Sequence, residues 1–331
     1  MGGKRALVIG INAYPTAQLH GCVNDANRMA DALEKNGDGS PNFAVISITS
    51  DHTAVTAEVM SSAVSKLFKA DAEVALLFFA GHGIINPETN AGYIVSQDGR
   101  RGGWGLSLSE ILGLANGAHT RIRSTVIILD CCQSGYTGEV AGINNDAVSA
   151  IGKGVTILTS SDREGTAGEV DGHGIFTDML VDGLTGSAAD ICGRITPASV
   201  YSHIDQALGP WEQRPIYKAN VQTFITLRNV PPKIPLDVLR RLPNHFPDAA
   251  TIFALDPSYE PDRANIPEQF RHLPVNAKHI KVFKELQACN RHGLVIPVEA
   301  EHMYDAAIGS KGCRLTALGA HYRRLASMGR I

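Results

Sequence analysis

Two apolar runs, Val74–Phe79 and Thr125–Leu129, each end in a short motif carrying a reactive side chain. Runs of this length without alternation read as strands buried on both faces, as in a parallel sheet covered by helices. The first run opens into Phe79-Ala80-Gly81-His82-Gly83, the second into Asp130-Cys131-Cys132-Gln133-Ser134-Gly135, and His82 precedes Cys132 by 50 residues. Parallel neighbouring strands bring their carboxyl ends to one edge of the sheet, where a crevice forms. An imidazole there would activate a thiol near neutral pH. The pattern predicts a thiol hydrolase built on His82 and Cys132.

The pattern of elements agrees with such a sheet. Residues 6–11, 43–49 and 155–159 read as further strands, with a short strand around Tyr93-Ile94-Val95. Helices are expected over 24–35, with Asn24 or Asp25 as cap, and over 54–69, 107–115, 174–185 and 197–208. Ser107 and Glu110 have capping-box spacing, and 221–227 alternates like an edge strand. Strands alternating with helices predict an α/β fold with a mostly parallel sheet flanked by helices.

Pro231-Pro232-Lys233-Ile234-Pro235 is a stiff linker. It divides the chain into an expected peptidase domain, 1–230, and a C-terminal domain, 231–331. In the second, helices are expected over 236–241, 276–291, 299–308 and 315–328, a strand over 294–298, and an irregular stretch over 244–275. Leu318, Tyr322 and Leu325 are expected to point inward from the last helix. This order resembles a small winged-helix-like α+β module.

Composition narrows the function classes. The net charge of -3 hides an asymmetry: residues 230–331 hold 14 Lys+Arg and 10 Asp+Glu, so the remainder carries -7. An acidic body with a modestly basic tail argues against nucleic acid as the main partner. The six cysteines are too sparse for a disulfide scaffold in a chain of 331 residues. A strand starts almost at once, leaving no room for a signal peptide, and no apolar run approaches the roughly 20 residues of a membrane span. A reduced, cytoplasmic protein without membrane attachment is expected. The 12 histidines show no zinc-ligand spacing, and the glycine-rich segments lack the context of a phosphate cradle, so no metal or cofactor site is read.

At the reacting pair, the backbone N–H groups of Gly83 and Cys132 are placed to hold a developing oxyanion. These residues resemble the caspase-like peptidases of family C14 in clan CD, on the prokaryotic metacaspase and orthocaspase side. Gly-His-Gly and Asp-x-Cys-x-Ser-Gly are that family's main motifs. Leu19-His20-Gly21-Cys22-Val23-Asn24-Asp25-Ala26, Gly172-His173-Gly174-Ile175-Phe176-Thr177 and Gln213-Arg214-Pro215 resemble its further segments. By the motif Cys132, not Cys131, is the nucleophile; strand alternation also turns Cys131 away from Asp130.

The resemblance implies a cysteine endopeptidase whose first specificity pocket, S1, is lined by Asp25 and Asp130, with Asp162 as a third contributor. Paired carboxylates select a cation, so protein or peptide substrates with Arg or Lys before the cut are implied. On the plainer reading Asp25 is only a helix cap. The family's calcium site calls for clustered aspartates. This chain offers Asp98 but Ser109-Glu110 where an acidic pair belongs, so calcium control is not expected. Lys153 and Arg163 are candidate self-cleavage positions.

The tail carries Arg240, Arg241, Lys278, Lys281, Lys284, Arg323 and Arg324 and six of the histidines. It reads as a regulatory or sensing module that answers a small molecule or partner, or as a DNA binder. By resemblance, fused caspase-like proteases of bacteria suggest an immune effector in antiviral defence. The competing reading is a catalytically silent caspase-fold signalling or DNA-binding module.

Overall fold

The computed structural model describes the chain except residues 1, 87, 132–138, 141–147, 150, 161–168, 171–172, 210–213, 263 and 265. Cys132, Asp162, Arg163, Gly172 and Gln213 therefore lie outside the described residues. The chain divides into two compact units, Met1–Pro231 and Pro232–Ile331.

The first unit is built on β1 (Lys4–Gly10), β2 (Phe43–Thr49), β3 (Ala72–Ala80), β4 (Gly83–Ile85), β5 (Gly92–Arg100), β6 (Gly103–Ser107), β7 (Ile122–Asp130), β8 (Val155–Thr159) and β9 (Ile216–Ala219). Its helices are α1 (Cys22–Glu34), α2 (Ala57–Lys69), α3 (Leu108–Gly117), α4 (Ile175–Asp182) and α5 (Pro197–Leu208). The main sheet has the order β9-β8-β7-β3-β1-β2. All its pairings are parallel except β8 with β9. The sheet is thus mixed but mostly parallel, and helices cover both faces.

Burial follows the pattern of the strands. From Val74 onward every residue of β3 is buried, and so is β7 apart from Arg123. Side chains alternate between two cores. One gathers Ile9, Phe79, Ile127 and Leu129 against α2 and α3, with Met60, Val64, Phe68, Ile111 and Leu112. The other gathers Val8, Phe78, Val126 and Ile128 against α1, α4 and α5, with Met29, Leu33, Phe176, Leu180 and Ile204. A central strand sandwiched in this way must be apolar at every position, which is why β3 and β7 read so plainly.

Several expectations need correction. The first helix begins earlier than expected, with Gly21 as its cap and no side-chain hydrogen bond there. Asp25 is therefore inside the first turn and is not the cap. Ser107 caps α3 by accepting from the Glu110 N–H at 3.1 Å, while the Glu110 carboxylate takes the Ser61 hydroxyl at 3.4 Å. The edge strand is Ile216–Ala219, paired with β8, and not 221–227. In 221–227, Ile225 and Leu227 are buried while Phe224 is 63 % exposed, so that stretch anchors to the core without joining the ladder. The strand around Tyr93 belongs to a separate antiparallel sheet, β4-β5-β6, whose flanking strands were not expected.

The second unit holds α6 (Leu236–His245), β10 (Ile252–Ala254), α7 (Ala277–Arg291), β11 (Val295–Val298), α8 (Met303–Ile308), β12 (Gly312–Leu315) and α9 (Ala317–Ser327). Its antiparallel sheet has β12 in the centre, between β10 and β11. In this unit α8 lies in the connection between the paired strands β11 and β12. Leu318 points outward at 47 % exposed, Gly319 and Tyr322 are the buried residues of α9, and Leu325 is half-buried.

Three of the tail's arginines are engaged within this unit. Arg241 pairs with Asp237 at 2.9 Å and with Glu285 at 2.8 Å. Arg323 donates to the carbonyls of Phe246 and Pro247. The Arg240 side chain donates to the Ile331 carbonyl at 2.9 Å.

Candidate active site

The carboxyl ends of β3 and β7 lie side by side. Their register pairs Ala80 with Asp130, and the Gly81 N–H donates to the Asp130 carbonyl at 3.3 Å. His82 is two residues beyond Ala80, and Cys132 is two residues beyond Asp130 in sequence.

His82 is fixed at several atoms. Its Nε2 lies 2.6 Å from the Ala17 carbonyl. A carbonyl can only accept, so Nε2 carries the proton and Nδ1 keeps its lone pair in the neutral ring. The His82 backbone N–H donates to the Tyr14 hydroxyl at 3.0 Å, that hydroxyl donates to the Val95 carbonyl at 3.1 Å, and the Val95 N–H donates to the His82 carbonyl at 2.8 Å. The Tyr14 and His82 rings also touch, with centroids 4.5 Å apart.

Gly83 follows, paired with Ile94. Hydrogen bonding in an antiparallel ladder alternates, so after the bonded His82–Val95 step the Gly83 N–H points away from β5. That leaves it available to a ligand atom. Gly81 cannot carry a side chain here: a Cβ would lie 2.6 Å from the Tyr14 hydroxyl and 2.7 Å from the Phe79 ring.

On the opposite face of the sheet edge, the structure brings Asp25 and Asp130 together. Both are buried, at 2 % and 6 % exposed. The Gly174 N–H donates to Asp25 Oδ2 at 3.0 Å, and the Thr177 hydroxyl donates to Asp130 Oδ2 at 2.6 Å. A Cβ added to Gly174 would stand 2.6 Å from Asp130 Oδ2 and 3.2 Å from Asp25 Oδ2, so the glycine is the wedge at which both acids converge. Burial pushes the Asp25 carboxyl up to about 7; the Gly174 N–H opposes the shift, the Asp130 charge adds to it, and Arg28 opposes it. Arg28 itself is bound to Asp178 on α4.

Cys131 is buried in the core beneath α2 and α3, the face opposite the acids, as alternation along β7 requires. Among the described residues no three His, Cys, Asp or Glu side chains gather as a metal site. The Asp98 carboxylate accepts from the Ala57 N–H at 2.9 Å, at the start of α2, and from the Ser96 hydroxyl at 2.7 Å. Lys153 is exposed in a tight turn before β8. The turn is pinned by Gly152 N–H to Asn116 at 2.8 Å and Gly154 N–H to the Asn220 carbonyl at 2.7 Å. Among the described residues no helix is long and apolar enough to cross a membrane.

Sequence reasoning missed three supports of the site. The Ala17 carbonyl has no signature, because every residue type supplies one. Tyr14 sits in a loop with no periodicity. Thr177 was visible only as part of a resembling segment, without a role.

An α/β sheet with a histidine just past one strand end, and an acid pair shared between the neighbouring strand end and α1, is the framework of the caspase class. The model of the Caspase domain family (Peptidase_C14) matches residues 3–224, and the chain belongs to that peptidase family. Metacaspase-7 of Arabidopsis thaliana is 39% identical over 93 residues, which cover 26% of this chain and 23% of that protein. The match thus spans about a quarter of the plant protein's length. Among solved structures, protein GSU0716 from Geobacter sulfurreducens is 18% identical with a TM-score of 0.49, covering 69% of this chain and 98% of that one. Caspase-1 from Spodoptera frugiperda is 12% identical with a TM-score of 0.48, covering 69% and 90%.

Proposed function

We propose that the chain is a cysteine endopeptidase cutting after Arg or Lys, with Cys132 as nucleophile and His82 as its base. The observation that carries this reading is the Ala80–Asp130 register, which starts the two motif-bearing loops from adjacent points of one sheet edge. His82 Nδ1 takes the thiol proton, and the thiolate attacks the scissile carbonyl. The N–H groups of Gly83 and Cys132 receive the oxyanion, a contribution worth about 3 kcal/mol of barrier for one such donor. The imidazolium then protonates the leaving amine, and water hydrolyses the thioester.

Specificity in this reading comes from Asp25 and Asp130, with Asp162 as a third acid. Two carboxylates held against each other out of water are relieved by one guanidinium or ammonium, whereas an acidic side chain would add to the repulsion. We further assign the second unit a regulatory or sensing role, answering a small molecule or partner, in a cytoplasmic protein of bacterial defence. Its Arg241, paired with Asp237 and Glu285, supports that role over DNA binding. No calcium is required in this scheme, since the sequence offers Asp98 but Ser109-Glu110 in place of an acidic pair.

The test compares Arg-, Lys- and Asp-coumarin peptides on the full chain and on Cys132→Ala, with calcium or EDTA. Cleavage after Arg and Lys by the parent chain alone, unchanged by EDTA, is expected. Equal signal from both proteins, alongside a retarded DNA fragment, would favour the silent signalling or DNA-binding module. A strict calcium requirement would overturn the metal-free scheme.

A further inference from the structure

An antiparallel ladder normally joins a bonded pair of residues by two direct N–H to carbonyl hydrogen bonds. At His82 and Val95 only one of these is direct, from the Val95 N–H to the His82 carbonyl at 2.8 Å. The other is relayed through a side chain: the His82 N–H donates to the Tyr14 hydroxyl, which donates to the Val95 carbonyl. Tyr14 is 4 % exposed, and burial drives its phenol far above the ordinary range, so it stays neutral and can serve as donor and acceptor at once. The inserted oxygen holds the two backbones apart at the residue that carries the imidazole.

The same loop supplies the second restraint. Ala17, in a left-handed conformation at φ 61, presents its carbonyl to His82 Nε2. Asn12 braces the loop: its carbonyl accepts from the Tyr14 and Leu19 N–H groups, its side-chain oxygen from the Val23 N–H, and its amide donates to the His20 carbonyl. The Ser50 hydroxyl accepts from the Asn12 and Ala13 N–H groups at 2.9 and 3.3 Å. One braced loop therefore grips the histidine at its backbone and its ring.

We propose that Tyr14 is a positioning residue for His82, its hydroxyl standing in the β4–β5 ladder to set the height and aim of the imidazole. Removing the hydroxyl leaves the His82 N–H and the Val95 carbonyl without their shared partner. The strands must then close on each other, carrying His82 away from the Ala17 carbonyl, or leave two polar groups unmet. Either response loosens the restraint that keeps the proton on Nε2 and the lone pair on Nδ1. The catalytic consequence rests on the peptidase reading; the placement of His82 does not.

The experiment uses the full chain with histidine labelled with nitrogen-15, the His82 signal being assigned by its loss in His82→Gln. In the parent chain one tautomer, protonated at Nε2, is expected. In Tyr14→Phe, which keeps the ring contact, a mixture of tautomers is expected, with kcat for Arg-coumarin peptide lowered at least about ten-fold and KM changed less than about two-fold. Replacing Tyr14 by p-aminophenylalanine, whose amine can bridge the same two groups, should restore both readings and also serves if Tyr14→Phe folds poorly. A parental kcat, or an unchanged His82 spectrum, in Tyr14→Phe overturns the proposal. Should the parent chain and Cys132→Ala cleave equally, the peptidase reading falls, while the His82 spectrum still decides the role of Tyr14.

Discussion

At the carboxyl edge of the sheet, the two faces are organised on opposite principles. On the face of α2 and α3, His82 is held entirely by neutral groups: a phenol, a main-chain carbonyl and a strand ladder. On the face of α1 and α4, two carboxylates are buried close together, with an N–H, a hydroxyl and a nearby arginine among their partners. The first arrangement preorganises a side chain at little electrostatic expense. The second, in the reading proposed above, places two acids where an incoming cation would relieve their mutual repulsion. A binding site, unlike a base, gains by being uncomfortable when empty.

The largest effect should come from the neutral face. His82→Gln removes the base without disturbing the buried acids, so cleavage of Arg substrates should fall about 10²–10⁴-fold while the melting temperature hardly moves. A loss of stability as large as the loss of rate would mean that the two faces are not separable.

Next comes Asp25→Asn, which should act in opposite directions on binding and on stability. Cleavage after Arg should weaken through KM by about ten-fold or more, from the loss of one charged partner. The Asp25 carboxyl is raised from 3.8 to about 7, so the folded chain holds its proton more tightly than the unfolded chain. Its contribution to stability is present in full below about pH 4 and is lost as pH rises through about 7. The substitution should therefore stabilise the protein more at pH 8 than at pH 5, by on the order of 2–4 kcal/mol between them at most. Thermal melts at both pH values settle the sign. In the parent chain, kcat/KM for Arg substrates should climb as pH rises through about 7, because the ionised acid is the one that attracts a guanidinium.

The smallest change should follow Thr177→Val. It deletes the hydroxyl that steadies Asp130 and leaves a buried carboxylate short of one partner, at about 1–3 kcal/mol of stability. KM should rise several-fold and kcat should stay. A fall in kcat alone would place Thr177 with the base rather than with the acids.

The parts of this edge differ in how openly the sequence announces them. β3 and β7 were legible because a doubly covered strand tolerates nothing but apolar residues, and their neighbourhood follows from the parallel order of the sheet. Asp25 was ambiguous, since an acid near a helix start serves equally as a cap; its contact with Gly174, 149 residues away, leaves no trace in the local pattern. Tyr14 and the Ala17 carbonyl were illegible, because a loop's shape depends on main-chain hydrogen bonds that any residue type can make. The edge strand was misplaced by a few residues for a related reason. Alternation in 221–227 reflects anchoring of Ile225 and Leu227, and burial alone does not reveal which segment donates to the ladder.

β8 is clamped between β7 on one side and β9 on the other, and all five of its residues are buried. A break in the peptide chain at Lys153 would separate β7 from β8 covalently, yet their parallel pairing from Thr125 to Leu129 would remain. The severed halves would migrate as one particle under native conditions and as two bands only after denaturation. An unchanged elution volume would therefore say nothing about whether such a cut had been made.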